Sequence, residues 1–166
     1  INMQQNLSEL ANKKVRQALN FAIDRKKMLK ALRNSVGKPA ISGFSPMGLP
    51  SFDSQKVKGY TYNADKARLL LEEAGFPNGK GMAEITLHTS NDYVDICTFL
   101  ANEWSKIGVK VNVEILEIAT LREMMSKGQA SFFRASWIAD YPDAESFLGV
   151  FYSKNPAPPN YTRFKN

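Results

Sequence analysis

Cysteine and histidine are almost missing from this chain of 166 residues: Cys97 and His88 each stand alone. A single cysteine excludes an internal disulfide framework and any cysteine-rich metal site, while leaving the redox compartment open. No apolar run approaches the roughly 20 residues needed to span a bilayer. The opening Ile1-Asn2-Met3-Gln4-Gln5 lacks a charged segment followed by an apolar stretch, so no signal peptide is visible. If the protein is exported, its targeting segment lies outside this sequence. Internal repeats and low-complexity tracts are also lacking. Gly75, Gly79 and Gly81 do not follow a strand pattern, so they make no phosphate cradle.

Catalytic chemistry is equally scarce. A Cys97 and His88 dyad is conceivable by residue type, but Cys97 sits between Ile96 and Phe99 on a helical pattern, where a buried inert thiol is the commoner case. His88 falls on a strand pattern and reads as structural. Glu72-Glu73 reads as a solvated helix face, and Asp140 with Asp143 lacks a partner that would mark a general acid. The residues therefore point to no enzyme, no metal and no cofactor.

What is present is the composition of one globular domain, with 43% hydrophobic and 23% charged residues. The net charge of +6 is unevenly placed. Residues 1–38 hold nine Lys or Arg against only Glu9 and Asp24, and the remainder is close to neutral. A basic helical segment can touch phosphates or anionic lipid. Arg25, Lys26, Lys27, Lys30 and Arg33 also fit the solvated face of an amphipathic helix, and no nucleic-acid motif accompanies them.

The periodicity predicts elements along the chain. Val15, Ala18, Leu19 and Ala22 keep helical spacing, and Asp24 is placed to cap a second helix through Met28, Leu29 and Leu32. Residues 37–62 are punctuated by Gly and Pro and read as a long irregular excursion. Asn63 caps a helix with Ala67, Leu70, Leu71 and Ala74 as its buried stripe, which Gly75 and Pro77 stop. Then come a strand at 85–88, a helix at 93–107, a strand at 109–115, a helix at 120–127 and a strand at 131–137. This alternation predicts an α/β fold with a mixed, largely parallel sheet flanked by helices. Residues 155–160, Asn-Pro-Ala-Pro-Pro-Asn, read as an extended surface segment.

The third predicted strand runs into Trp137-Ile138-Ala139-Asp140-Tyr141-Pro142-Asp143. Ligands of open α/β sheets collect outside the carboxyl ends of strands, which places Trp137 and Asp140 at such a site. A carboxylate beside Trp137 and Tyr141 is expected to be poorly hydrated and to seek a cation, most simply a ligand's ammonium group.

Three blocks carry a family resemblance. Val15-Arg16-Gln17-Ala18-Leu19-Asn20-Phe21-Ala22-Ile23-Asp24-Arg25 resembles the VRQALNYAIDR signature of the family 5 solute-binding proteins of ABC transporters, the oligopeptide and dipeptide receptors. The stretch from Tyr62-Asn63 through Leu69-Leu70-Leu71-Glu72-Glu73-Ala74-Gly75-Phe76 resembles the Y-D-P-x-K-A-K-x-L-L-x-E-A-G-Y block, and residues 137–143 resemble W-x-x-D-Y-P-D-P. Asn63 replaces the usual Asp, Ser136 stands where Gly commonly precedes the Trp, and Ala144 replaces the final Pro.

The resemblance implies a two-lobe type II periplasmic-binding fold of which this chain, 1–166, is a single domain, the second lobe, with the first lobe outside the sequence. It implies a monomeric, extracytoplasmic receptor, periplasmic or lipid-anchored. Such a receptor binds short peptides between its lobes and delivers them to the transmembrane subunits of an ABC permease. By position, Asp140 corresponds to the anchor for a peptide's α-ammonium, Trp137 to a wall of a side-chain pocket, and Arg134 to a position that meets the ligand's carboxylate in some oligopeptide receptors, although it equally suits a pair with Asp140 or an interlobe carboxylate; Tyr141 joins them as a ligand-binding candidate. Other readings stay open. The same fold serves nickel chelates, haem or sugars in some relatives, and the basic N-terminal helices suit an interaction module for an anionic partner.

Overall fold

The computed structural model describes Ile1 and residues 8–165. Helices fill its first half because polar side chains fasten their starts. After α1 (Ser8–Ala11), the Asn12 side chain accepts from the Lys14 N–H at 2.9 Å and opens α2 (Lys13–Phe21), which buries Val15, Ala18 and Leu19. Asp24 caps α3 (Arg25–Arg33) by accepting from the Lys27 N–H at 3.0 Å, and Asn63 caps α4 (Ala64–Glu73) by accepting from the Lys66 N–H at 2.8 Å. Each cap satisfies a backbone donor that the first helical turn leaves free. As expected, residues 37–62 form no helix or strand.

The sheet has two parallel strands, β1 (Ile85–Thr89) and β2 (Val111–Ile115), in register from Ile85↔Val111 to Thr89↔Ile115. Parallel pairing needs a crossover, supplied by α5 (Val94–Ser105). Among the described residues no strand pairs with the other edge of β2. α6 (Ile118–Lys127) follows, ended by Gly128 in the left-handed conformation, and α7 (Ala144–Leu148) comes after Pro142.

The expected third strand at 131–137 is corrected to one parallel bridge, Phe133 against His88. His88 N–H donates to Phe132 O at 3.0 Å and Arg134 N–H donates to His88 O at 2.9 Å, after which no further ladder bond forms. Burial explains where the pairing stops. Phe132 and Phe133 are buried by layers on opposite faces, whereas Ala135 and Ser136 are exposed and give the sheet nothing to pack. Residues 155–160 differ from expectation in conformation: Pro156 and Pro158 are exposed, but the segment turns instead of extending, and Asn160, 3% exposed, donates to Tyr152 O and Phe164 O and accepts from Phe164 N–H.

Two apolar clusters flank the sheet. The larger joins α2, α4 and α5 to Ile85, Leu87 and Phe132, with Trp104 donating its indole N–H to Leu19 O at 2.9 Å. The smaller joins Leu121 and Met125 of α6 to Ala130 and Phe133. Behind the sheet, the turn after α4 meets the turn after α5 backbone to backbone. A Cβ at Gly79 would lie 2.0 Å from Gly108 O, and one at Gly108 would lie 1.9 Å from Asn78 O. Both glycines have positive φ, so no other residue fits either position without displacing main chain.

Candidate ligand-binding segment

The chain leaving the sheet carries the four candidate residues, and the parallel sense of the Phe133 bridge sends them past the carboxyl end of β1. Arg134 is half-buried, its guanidinium 2.9 Å from the centroid of the Tyr93 ring, with one nitrogen 3.5 Å from the Ser136 hydroxyl. A guanidinium over an aromatic face is favourable and leaves edge N–H groups for an acceptor. Arg134 and Asp140 form no ion pair.

Trp137 is half-buried on irregular backbone, not on a strand. Its indole N–H is buried without an acceptor among the described residues, as is the Ser45 hydroxyl. Native proteins satisfy nearly all such groups, so an unpaired donor of this kind marks a place where an acceptor is due.

Asp140 differs from expectation, for its side chain is exposed. Its backbone N–H donates to the Ser146 hydroxyl at 3.2 Å, which fixes the main chain, while its carboxylate has no hydrogen bond or ion pair among the described residues. Asp143, by contrast, is committed. It caps α7 by accepting from the Glu145 N–H at 2.8 Å, and the Ser51 hydroxyl with that N–H holds its carboxyl below the usual range. Tyr141 is 47% exposed. Loss of water around its hydroxyl, then the nearby acids Glu145, Asp143 and Asp140, push the phenol up.

An open groove of about 590 Å³ runs beside Arg134, walled by Leu87, Trp104 and Phe132 and by Gln17 and Asn20 of α2. Asn20 is occupied by Arg25 and by the Arg16 carbonyl, but the half-buried Gln17 side chain makes no hydrogen bond among the described residues. The sequence reading missed Gln17. Its signal was a polar residue within α2 whose amide no capping or ion-pair pattern used. A second hollow of about 220 Å³ lies between Trp137, Phe44, Phe133, Phe151 and Tyr161. A third, about 480 Å³, opens beyond the carboxyl ends of both strands between Ser90, Asp92 and Glu117. Arg134 and Trp137 thus line hollows, whereas Asp140 and Tyr141 line none of these three.

Cys97 is fully buried, and burial pushes its thiol up against the opposing pull of Thr89 and Arg134. His88 faces Glu114 at 3.2 Å and Phe132 O at 3.2 Å, away from any thiol contact. Among the described residues, no group of three or more potential metal ligands gathers.

The chain is 32% identical over 160 residues to the heme-binding protein A of Haemophilus influenzae, covering 93% of this chain and 29% of that protein. It is 29% identical over 153 residues to the glutathione-binding protein GsiB of Shigella flexneri, covering 89% of this chain and 30% of that protein. The periplasmic binding protein DppA of Helicobacter pylori, solved with the peptide STSA, superposes with a TM-score of 0.87 at 25% identity, over 100% of this chain and 32% of that one. The chain therefore spans about three-tenths of the length of the curated relatives it matches. The fold is the mixed α/β architecture of periplasmic binding proteins. Residues 1–159 match the model of the bacterial extracellular solute-binding proteins, family 5, middle region. Members of that family are solute-binding components of transporters, and this chain belongs to it.

Proposed function

We propose that this chain is the second lobe of the receptor of an ABC importer, and that the intact receptor closes on short peptides and delivers them to a membrane permease outside the cytoplasm. The Asp140 carboxylate carries the reading: it is held by its backbone at the end of the site segment and no cation of the described chain neutralises it. A peptide's ammonium brings three donors to such an acceptor, and closure of a second lobe would remove the water that now solvates it. Trp137 walls a side-chain hollow and offers an unpaired N–H, while Arg134 offers guanidinium edges to a ligand carboxylate. Tyr141 borders the anchor. The match to a peptide-bound structure over the whole chain supports the same reading.

One lobe supplies half a cleft, so the isolated chain is expected to bind weakly. The test is native mass spectrometry of the longer parent protein after gentle purification. A spread of adducts with short-peptide masses, lost on Asp140→Ala, is the expected result. N-acetylated peptides should bind on the order of a hundredfold or more weaker than free ones, since about 3–5 kcal/mol accompanies a buried charge left without its partner. Equal binding of both forms would remove Asp140 from the anchor role.

The 32% identity to a heme-binding protein favours one other reading, a haem receptor on the same fold. Adding haemin to the parent decides it. A shifted, saturable Soret band together with no peptide adducts would replace the peptide reading.

A further inference from the structure

The site described above leaves the basic charge of the N-terminal helices unexplained. α3 packs loosely, with none of its nine residues fully buried, and it rests on α5 through a few side chains. Lys26, Lys30 and Arg33 follow each other at i, i+4 and i+7, the spacing of one helix stripe. Arg33 is paired with Asp95 at 2.9 Å, and the neighbouring Lys27 reaches Glu103 at 3.4 Å. Lys26 and Lys30 have no acidic partner among the described residues, nor does Lys38 just beyond the helix, and all three are exposed. Between Arg33 and Lys38 the backbone turns through left-handed Asn34 and Ser35, and Val36 is left 74% exposed.

From these features we propose that the Lys26 and Lys30 side of α3 and the loop through Lys38 dock on a bilayer surface carrying anionic headgroups. Uncompensated positive charge supplies the complementarity. The unpaired charges, Lys26, Lys30 and Lys38, are all lysines, strongly hydrated point charges suited to a diffuse layer of headgroups rather than to bidentate recognition of one phosphate. An exposed Val36 beside them gains by entering the headgroup boundary, which a dissolved polyanion does not offer. No aromatic ring lies within residues 24–38, so the segment has no stacking platform for nucleic-acid bases. Lys26, Lys30, Val36 and Lys38 line neither the groove beside Arg134 nor the hollow beside Trp137, and the inference stands independently of the peptide reading.

Sedimentation of the chain with lipid vesicles tests it. Vesicles of phosphatidylcholine are compared with equal mixtures of phosphatidylcholine and phosphatidylglycerol, at about 50 mM and about 200 mM salt. Binding is expected to the anionic vesicles and not the neutral ones, and to weaken at the higher salt. Lys26→Glu, Lys30→Glu and Lys38→Glu together should lower partitioning by about a hundredfold or more, from roughly a fivefold effect per lysine near an anionic surface. Val36→Ser should weaken it less, and circular dichroism melting confirms that the variants fold. No binding to anionic vesicles, binding undiminished in the triple variant, or equal affinity for a short DNA duplex at the same salt would each overturn the proposal.

Discussion

Two carboxylates in this chain meet opposite fates. Asp140 stands in water without a cation, while Glu103 is 4% exposed and accepts from both Lys106 and Lys27. The Glu103 hydrogen bond holds the Lys106 ammonium above its usual range. The two lysines are about half-exposed, so their charges can return to water while the carboxylate cannot. Removing both amines by Lys27→Ala with Lys106→Ala should therefore cost about 3 kcal/mol, the penalty for an unpaired buried charge. Glu103→Gln, which keeps the shape and removes the charge, should cost about 1 kcal/mol. Urea unfolding of the two variants measures the difference, and the reverse order would mean that Glu103 is better hydrated than its burial implies. At this scale the sequence disclosed the identity of Trp137, Asp140 and Arg134 as candidates but not their surroundings. The hydration of Asp140, the unpaired indole N–H and the uncommitted Gln17 depend on residues distant in the chain.

Among the elements, the least replaceable is a junction rather than a helix. Gly79 and Gly108 bring two turns into direct main-chain contact. Gly108→Ala adds both a left-handed residue and a clash with Asn78 O, so it should destabilise the chain by about 3 kcal/mol or more. Gly75→Ala serves as the comparison, for it also has positive φ but meets nothing within 4 Å. It should cost only about 1 kcal/mol, and equal thermal shifts in the two variants would show that conformation alone sets the penalty. Helices whose signals are local were legible: the Asp24 and Asn63 caps and the helices expected at 93–107 and 120–127 stand close to where periodicity and capping place them. The third strand was misread because Phe132 and Phe133 look like strand residues whether the pairing continues or ends after one bridge. α7 was not expected because five residues are too few to show a helical period, and the turn at 155–160 depends on Asn160 finding carbonyls on both sides.

Over the whole molecule, the fold class was legible because the helix–strand alternation is a pattern of the entire second half, and three sequence blocks already pointed to the family. The half-open sheet has a further consequence for handling the isolated chain. β2 is a run of alternating β-branched residues, Val111-Asn112-Val113-Glu114-Ile115, whose outer edge pairs with no strand among the described residues. Such an edge is a template on which an identical strand from another copy can add. Lys110 before it and Glu114 within it act as charged gatekeepers, and the net charge of +6 keeps copies apart. High salt screens that repulsion, so aggregation through β2 is expected first in concentrated, salt-rich solutions.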